Sequence, residues 1–232
     1  MTLLNVSMTT VAIHQPQYIP WLPYVAKAAA SDIFVYLDNV QYQKNGVQNR
    51  NQIKTAQGPA WLTVPVHASL ETTIQQTPID NTQHWRQKHL RSINMAYARA
   101  PFKQLIDQGL RALIETEWTY LADLNIALSE WIFKRLGVTC TRVRASELSV
   151  NGSRNDLVLA ICQEVGATVY LSGQGAKAYQ DERLFDKNGI DLHYQDYQFK
   201  EYPQCFPKTG FDRALSTVDL ILNAGDKARD YL

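Results

Sequence analysis

The sequence is poor in cysteine: Cys140, Cys162 and Cys205 are the only three in 232 residues. They are odd in number, widely spaced and form no C-x-x-C pair. Neither a disulfide framework nor a cysteine zinc site is expected, and the reduced interior of a cell is the expected compartment. Long apolar runs are missing too; nothing reaches the roughly 18 residues of a membrane span. Met1 to Thr10 lacks a basic segment followed by an apolar core, so it does not read as a signal peptide, and Met1 to Thr9 is expected to be a loose tail. Charge of one sign is also lacking. The formal net charge is +1, which argues against nucleic acid or an anionic membrane as dominant partner. No repeat, low-complexity tract or long linker divides the chain. A single cytoplasmic α/β domain over residues 1–232 is the expectation.

What is present starts with Thr10 to Ile13, a short apolar first strand that stops at the polar, aromatic and proline cluster His14-Gln15-Pro16-Gln17-Tyr18-Ile19-Pro20-Trp21. Tyr24 to Ala30 is alanine-rich and helix-prone. Ile33 to Leu37 is β-branched and aromatic throughout, as in a strand buried on both faces, and ends in Asp38-Asn39. Asn51 to Thr55 and Trp61 to Val66 flank Ala56-Gln57-Gly58-Pro59 and predict a β-hairpin. Thr72 to Thr77 predicts a further short strand.

The middle of the chain is helical in pattern. Trp85, Leu90, Ile93 and Tyr97 are helically spaced within Gln83 to Arg99. Pro101 is expected to restart a helix that runs to Ile114. Thr119 is the expected cap of a third helix, with Leu121, Leu124, Leu128, Trp131 and Ile132 as its apolar stripe and Gly137 as its stop. Strand and helix patterns then alternate: Thr141–Ala145, Asn155–Val165, Thr168–Leu171, Asp181–Lys187 and Ile190–Tyr194. A short capped helix is expected over Ser216–Asn223. This alternation predicts a Rossmann-like, mostly parallel sheet with a helical insertion over 83–136 and a small β-hairpin excursion.

In open α/β sheets, ligands bind outside the carboxyl ends of the strands. His14 and Asp38 follow two such ends. His14 suits proton exchange near neutral pH; Asp38 suits orienting it or holding an optional Mg²⁺. Lys44, Arg50 and Lys54 are the densest positive charge nearby, with Asn49, Asn51 and Gln52 as neutral donors. Of these, Lys44 and Arg50 read as anion contacts, and Lys54 as a solvated charge at a hairpin edge. Ser172-Gly173-Gln174-Gly175-Ala176-Lys177 follows another strand. Its small residues let backbone N–H groups approach a ligand, and Lys177 meets an anion there. Tyr179, Asp181 and Glu182 either line the same crevice or start a helix. Gln15, Gln17 and Tyr18 offer hydrogen bonds or stacking to a base or sugar. Trp21 reads as core, and His84 and His89 as helix surface. No G-x-S-x-G elbow, Walker A loop or G-x-G-x-x-G is present.

Three blocks together carry a resemblance. They are His14-Gln15-Pro16-Gln17-Tyr18-Ile19-Pro20-Trp21 with Lys27; Leu37 to Lys44 followed by Asn49-Arg50-Asn51-Gln52-Ile53-Lys54; and Tyr170 to Tyr179. A weaker fourth is Tyr202-Pro203-Gln204 with Leu215 to Leu220. The chain resembles the WbqC-like family over nearly its whole length. That resemblance implies a biosynthetic role in O-antigen, other surface-glycan or specialised-metabolite assembly, and a cytoplasmic location. Pro23 departs from the family's glycine before tyrosine and removes a backbone donor. The layout is also similar to the opening of HIGH-signature nucleotidyltransferases, although the second histidine is absent and Trp21 and Tyr24 fill that region.

The function expected is a transferase acting on a phosphate-bearing substrate, a nucleotide or nucleotide-sugar. His14, Asp38 and Lys44 are its catalytic candidates. Gln15, Gln17, Tyr18, Asn49, Arg50, Asn51, Ser172, Gly173, Gly175, Lys177 and Tyr179 are its binding candidates. A nucleotide is the cofactor class that fits. The alternatives are acyl or aminoacyl transfer from a carrier thioester, and a non-catalytic partner of a biosynthetic complex.

Overall fold

The computed structural model describes residues 8–69 and 71–232. The expected loose tail falls largely outside them, but Thr9 is tied down: its N–H donates to Thr168 Oγ1 at 2.8 Å. In chain order the elements are β1 (Thr10–His14), α1 (Leu22–Ala29), β2 (Ile33–Tyr36), β3 (Arg50–Thr55), β4 (Gly58–Thr63), α2 (Trp85–Ala96), α3 (Leu110–Glu115), α4 (Leu121–Leu136), β5 (Thr141–Arg144), α5 (Arg154–Glu164), β6 (Val169–Ser172), α6 (Glu182–Lys187), β7 (Asp191–Tyr194) and α7 (Thr217–Ala224). Short 3₁₀ turns lie between several of them.

The chain divides into two compact units. The first comprises the described residues up to His14, Lys27–Leu37 and Cys140–Tyr197. It holds a five-stranded sheet in the order β5-β2-β1-β6-β7, and every neighbouring pair is parallel. The run read as buried on both faces, β2, lies inside the sheet beside β1: Val11, Ala12, Phe34 and Val35 are fully buried. Leu157, Ile161 and Cys162 of α5 and Phe185 of α6 complete this core. Phe185 stacks on Tyr170 with ring centres 5.4 Å apart.

The second unit comprises Gln15–Ala26, Asp38–Thr139 and Gln198–Leu232. It holds the β3–β4 hairpin, antiparallel with Arg50 opposite Thr63, and α2, α3, α4 and α7. The stripe on α2 is buried as spaced: Trp85, Leu90 and Ile93, with Tyr97 just beyond. On α4, Leu121, Leu124, Leu128 and Ile132 are buried, while Trp131 is half-buried and directs Nε1 to Gln108 O at 3.4 Å.

Several expected elements differ. Thr72–Thr77 makes a single bridge, Thr73 to Gln41, with Ile74 and Gln75 N–H donating to Val40 O and Asp38 O, and then turns through Gln76 N–H to Thr73 O. The helix expected from Pro101 to Ile114 is a 3₁₀ turn, Lys103–Ile106, and then α3. Gly109 separates them at φ 127°, where a Cβ would lie 2.6 Å from Trp131 Nε1. Thr119 does not cap α4; Tyr120 stands at that position without a side-chain cap, and Thr119 O accepts from Ile79 N–H. Ser216 does cap α7, accepting from Val218 N–H at 3.2 Å.

Candidate functional site

The sheet of the first unit supplies the clearest site geometry. The chain adds β2 and β5 on one side of β1, then returns to add β6 and β7 on the other. The reversal falls between β1 and β6, the place where doubly wound sheets open a crevice at their carboxyl edge. Two sequence-singled segments flank it. His14 is the last residue of β1, half-buried. Ser172 is the last residue of β6, buried, and Gly173 follows it.

Beyond Ser172 the chain makes a short 3₁₀ turn, Gln174–Ala176, rather than entering a helix. The anticipated helix begins only at Glu182, capped by Asp181, which accepts from Leu184 N–H. Asp181 is therefore a cap, and Glu182 accepts from the Tyr194 hydroxyl at 2.9 Å. Ser172 Oγ donates to Gln180 Oε1 at 3.2 Å, and Gln174 Nε2 donates to Gln195 O at 2.9 Å. Around Gly173 and Gly175 a Cβ would meet nothing within 4 Å. Crowding therefore does not demand glycine there. Lys177 is exposed, with Nζ 5.5 Å from the Tyr194 ring centre, and Tyr179 is exposed as well.

Sequence reasoning passed over a charged group beside the end of β1. Lys27, on α1, is buried, and its Nζ donates to Ile13 O at 3.0 Å. Burial pulls its pKa down to about 7. The sequence signal was present in the first block, where Lys27 accompanies the histidine motif.

The other singled-out residues belong to the second unit, where most of their polar atoms are engaged. Asn51 Nδ2 donates to Ile19 O at 2.8 Å and to Tyr18 O at 3.3 Å. Those bonds hold Ile19 at φ 37°, an uncommon conformation for a β-branched residue. Gln15 Oε1 accepts from Gln48 Nε2 at 2.8 Å, and Asn49 Nδ2 donates to Val64 O at 2.8 Å. Asn125 Nδ2 donates to Gln48 O at 2.7 Å and Pro16 O at 3.3 Å. Gln17 is buried, and its Oε1 has no partner among the described residues. Arg50 lies 4.5 Å from the Trp61 ring centre and donates to Asn45 O. Asp38 is fully buried; Lys44 is exposed.

His89 is not on the helix surface: it is buried, with Nδ1 2.8 Å from the Tyr18 hydroxyl. Trp21 is 37% exposed rather than core. Lys54 is not a solvated edge charge but 1% exposed. Its Nζ donates to Gln204 Oε1 at 2.8 Å and to Gly210 O. Around it, Tyr202 donates to Asp219 Oδ2 at 2.8 Å, and Gln204 Nε2 donates to Asp212 O at 2.9 Å. Burial pushes the Asp219 carboxyl up to about 6, against the pull of the Tyr202 and Tyr97 hydroxyls and the Lys54 charge. The second and fourth sequence blocks thus meet in one buried network. Among the described residues no group of three or more His, Cys, Asp and Glu is arranged to hold a metal, and no helix is long and apolar enough to cross a membrane.

No solved structure matches the chain. It is 36% identical over 229 residues to the uncharacterized protein Rv1507c of Mycobacterium tuberculosis, covering 97% of this chain and 98% of that protein. The WbqC-like protein family matches residues 15–231. With that span matched and a relative similar from end to end, the chain belongs to the WbqC-like protein family.

Proposed function

We propose that this protein is a biosynthetic transferase taking a phosphate-bearing substrate, a nucleotide or nucleotide-sugar, at the carboxyl edge of its parallel sheet. The observation that carries the reading is the reversal of strand order at β1 and β6, with His14 and the Ser172–Lys177 loop ending on either side. In such folds that edge receives the ligand's phosphates. In this reading the loop's backbone N–H groups and Lys177 hold the anion. His14 takes the proton from an acceptor hydroxyl or amine as it attacks the donor carbon. The carbon–oxygen bond to phosphate breaks, and the leaving nucleoside phosphate keeps the electron pair. Membership of the family supports placing the reaction in surface-glycan or related metabolite assembly in the cytoplasm.

The test is a thermal-shift series of wild type and His14→Ala against nucleotides, nucleotide-sugars and acyl-CoA, followed by a nucleotide-release assay. A ligand binding only the folded state raises the melting temperature by mass action. A rise with nucleotides or nucleotide-sugars, and release lost in His14→Ala, is expected. A rise confined to acyl-CoA, with thiol release, would replace this reading by acyl transfer. No response to any of them would favour a non-catalytic partner.

A further inference from the structure

The β1–β6 ladder has an end that no backbone group among the described residues closes. Its register runs Thr10 to Val169, Val11 to Tyr170 and Ala12 to Leu171, and then stops. Carbonyls alternate in direction along a strand. Thr10 O and His14 O face β2, where they accept from Asp32 and Leu37 N–H at 2.8 Å each. Thr9 O accepts from Thr168 and Val169 on the other side. Ile13 O therefore faces the β6 side, one step past the last paired residues. The Lys27 ammonium takes that carbonyl in place of a strand N–H.

Lys27 reaches the position because of where α1 begins. The chain leaves β1 at the carboxyl edge and enters α1 from there, and helical side chains lean toward the helix N-terminus. Lys27 accordingly extends back to the edge rather than down the sheet. An ammonium has three donors, and among the described residues Ile13 O is the single hydrogen-bond partner of Nζ. No carboxylate among them lies within ion-pair distance of it. A buried cation with one neutral acceptor lacks the counter-charge that normally accompanies burial.

We infer that Lys27 is the principal anion-binding residue of this edge, its Nζ receiving a phosphate oxygen of the substrate between the ends of β1 and β6. This deepens the function proposed above and rests on it. The bond to Ile13 O aims the amine. The missing counter-charge is supplied by the substrate, so the site is complete only when loaded. Its lowered pKa, near 7, fits an amine that gains a full charge as an anion arrives. Lys177, exposed at the rim, is then an auxiliary contact.

The test uses inorganic pyrophosphate and a nucleoside diphosphate as probes in calorimetric titrations of wild type, Lys27→Met and Lys177→Met. Methionine keeps the length of the side chain and removes the amine, so the unliganded Lys27→Met protein should still fold although Ile13 O loses its donor. Binding to Lys27→Met should weaken by at least tenfold, with a smaller loss for Lys177→Met. Should Lys27→Met not fold, ¹³Cε-lysine spectra of wild type give the same answer, since pyrophosphate should displace the Lys27 signal. Equal binding by Lys27→Met, or an unmoved Lys27 signal in saturated wild type, overturns this inference and leaves the phosphate-bearing substrate standing. Failure of wild type to bind any phosphate-bearing probe overturns both.

Discussion

The Tyr18 hydroxyl donates to His89 Nδ1 across 2.8 Å, while His89 Nε2–H donates to Thr63 O at 3.1 Å. A carbonyl only accepts, so this pair of bonds fixes the neutral tautomer with its proton on Nε2. The imidazole joins the Gln15–Trp21 loop to α2 and β4 within the second unit.

Tyr18→Phe removes the donor and leaves Nδ1 buried without a partner. Such an orphaned group costs about 1–3 kcal/mol. A urea titration should show a lower midpoint with an unchanged slope.

Acid should loosen the same contact. Burial lowers the His89 pKa to about 4 from an ordinary 6.5, partly offset by the bond to Thr63. Between those values the unfolded chain binds the proton and the folded one does not. The stability tied to neutral His89 is complete above about pH 6.5 and is lost as pH falls through 4, roughly 3 kcal/mol in all. Asp219, raised from 3.8 to about 6, works in the opposite sense. Its folded form holds the extra proton over that window, so its contribution declines as pH rises. Unfolding curves of wild type and Asp219→Asn from pH 4 to 7 should separate the two; the variant should show the steeper loss on acidification.

Lys54→Met tests the buried network. A solvated lysine would tolerate the change within about 0.5 kcal/mol. Here it deletes the bonds to Gln204 and Gly210, and a loss of about 2 kcal/mol or more is expected in denaturant unfolding.

Gly225→Ala tests packing at the end of α7. Gly225 has φ 56°, and a Cβ there would sit 2.4 Å from Phe102 Cε1. Ring displacement and backbone strain together should cost about 3 kcal/mol. Calorimetry should show a clearly lower melting temperature.

His14→Ala is the converse case. His14 ends β1 half-buried, outside the apolar centre of the sheet. Turnover of a competent donor and acceptor should vanish, while the melting temperature stays within a few degrees of wild type. Retained turnover would remove His14 from the reaction.

The parallel sheet was legible because its signals are local. Ile33–Tyr36 is continuous and β-branched or aromatic, and Gly137 and Gly166 stop their helices at φ 64° and 72°. Misread residues depend on partners far along the chain. Lys54 and Gln204 are 150 residues apart, and Tyr18 and His89 are 71 apart. Nothing near Lys54 in sequence announces a buried acceptor, so a lone lysine on a hairpin reads as solvated. Asn49 and Asn51 have similarly distant partners: the backbone carbonyls they serve lie 15 and 32 residues away. At the site itself, strand ends and the polar loop were visible, but the carbonyl direction that aims Lys27 emerges only once β6 is beside β1.

The strand order also sets a schedule for biosynthesis. Thr9 meets Thr168, 159 positions further along the chain. At about 5–20 residues per second, a ribosome needs roughly 10–30 s to supply that partner. Throughout that interval β1 is an apolar strand with one flank open, although α1 and β2 are already made. Closing so long a loop is entropically slow. A nascent chain halted before β6 thus exposes an apolar central strand of the sheet, a natural target for a chaperone and a hazard for aggregation.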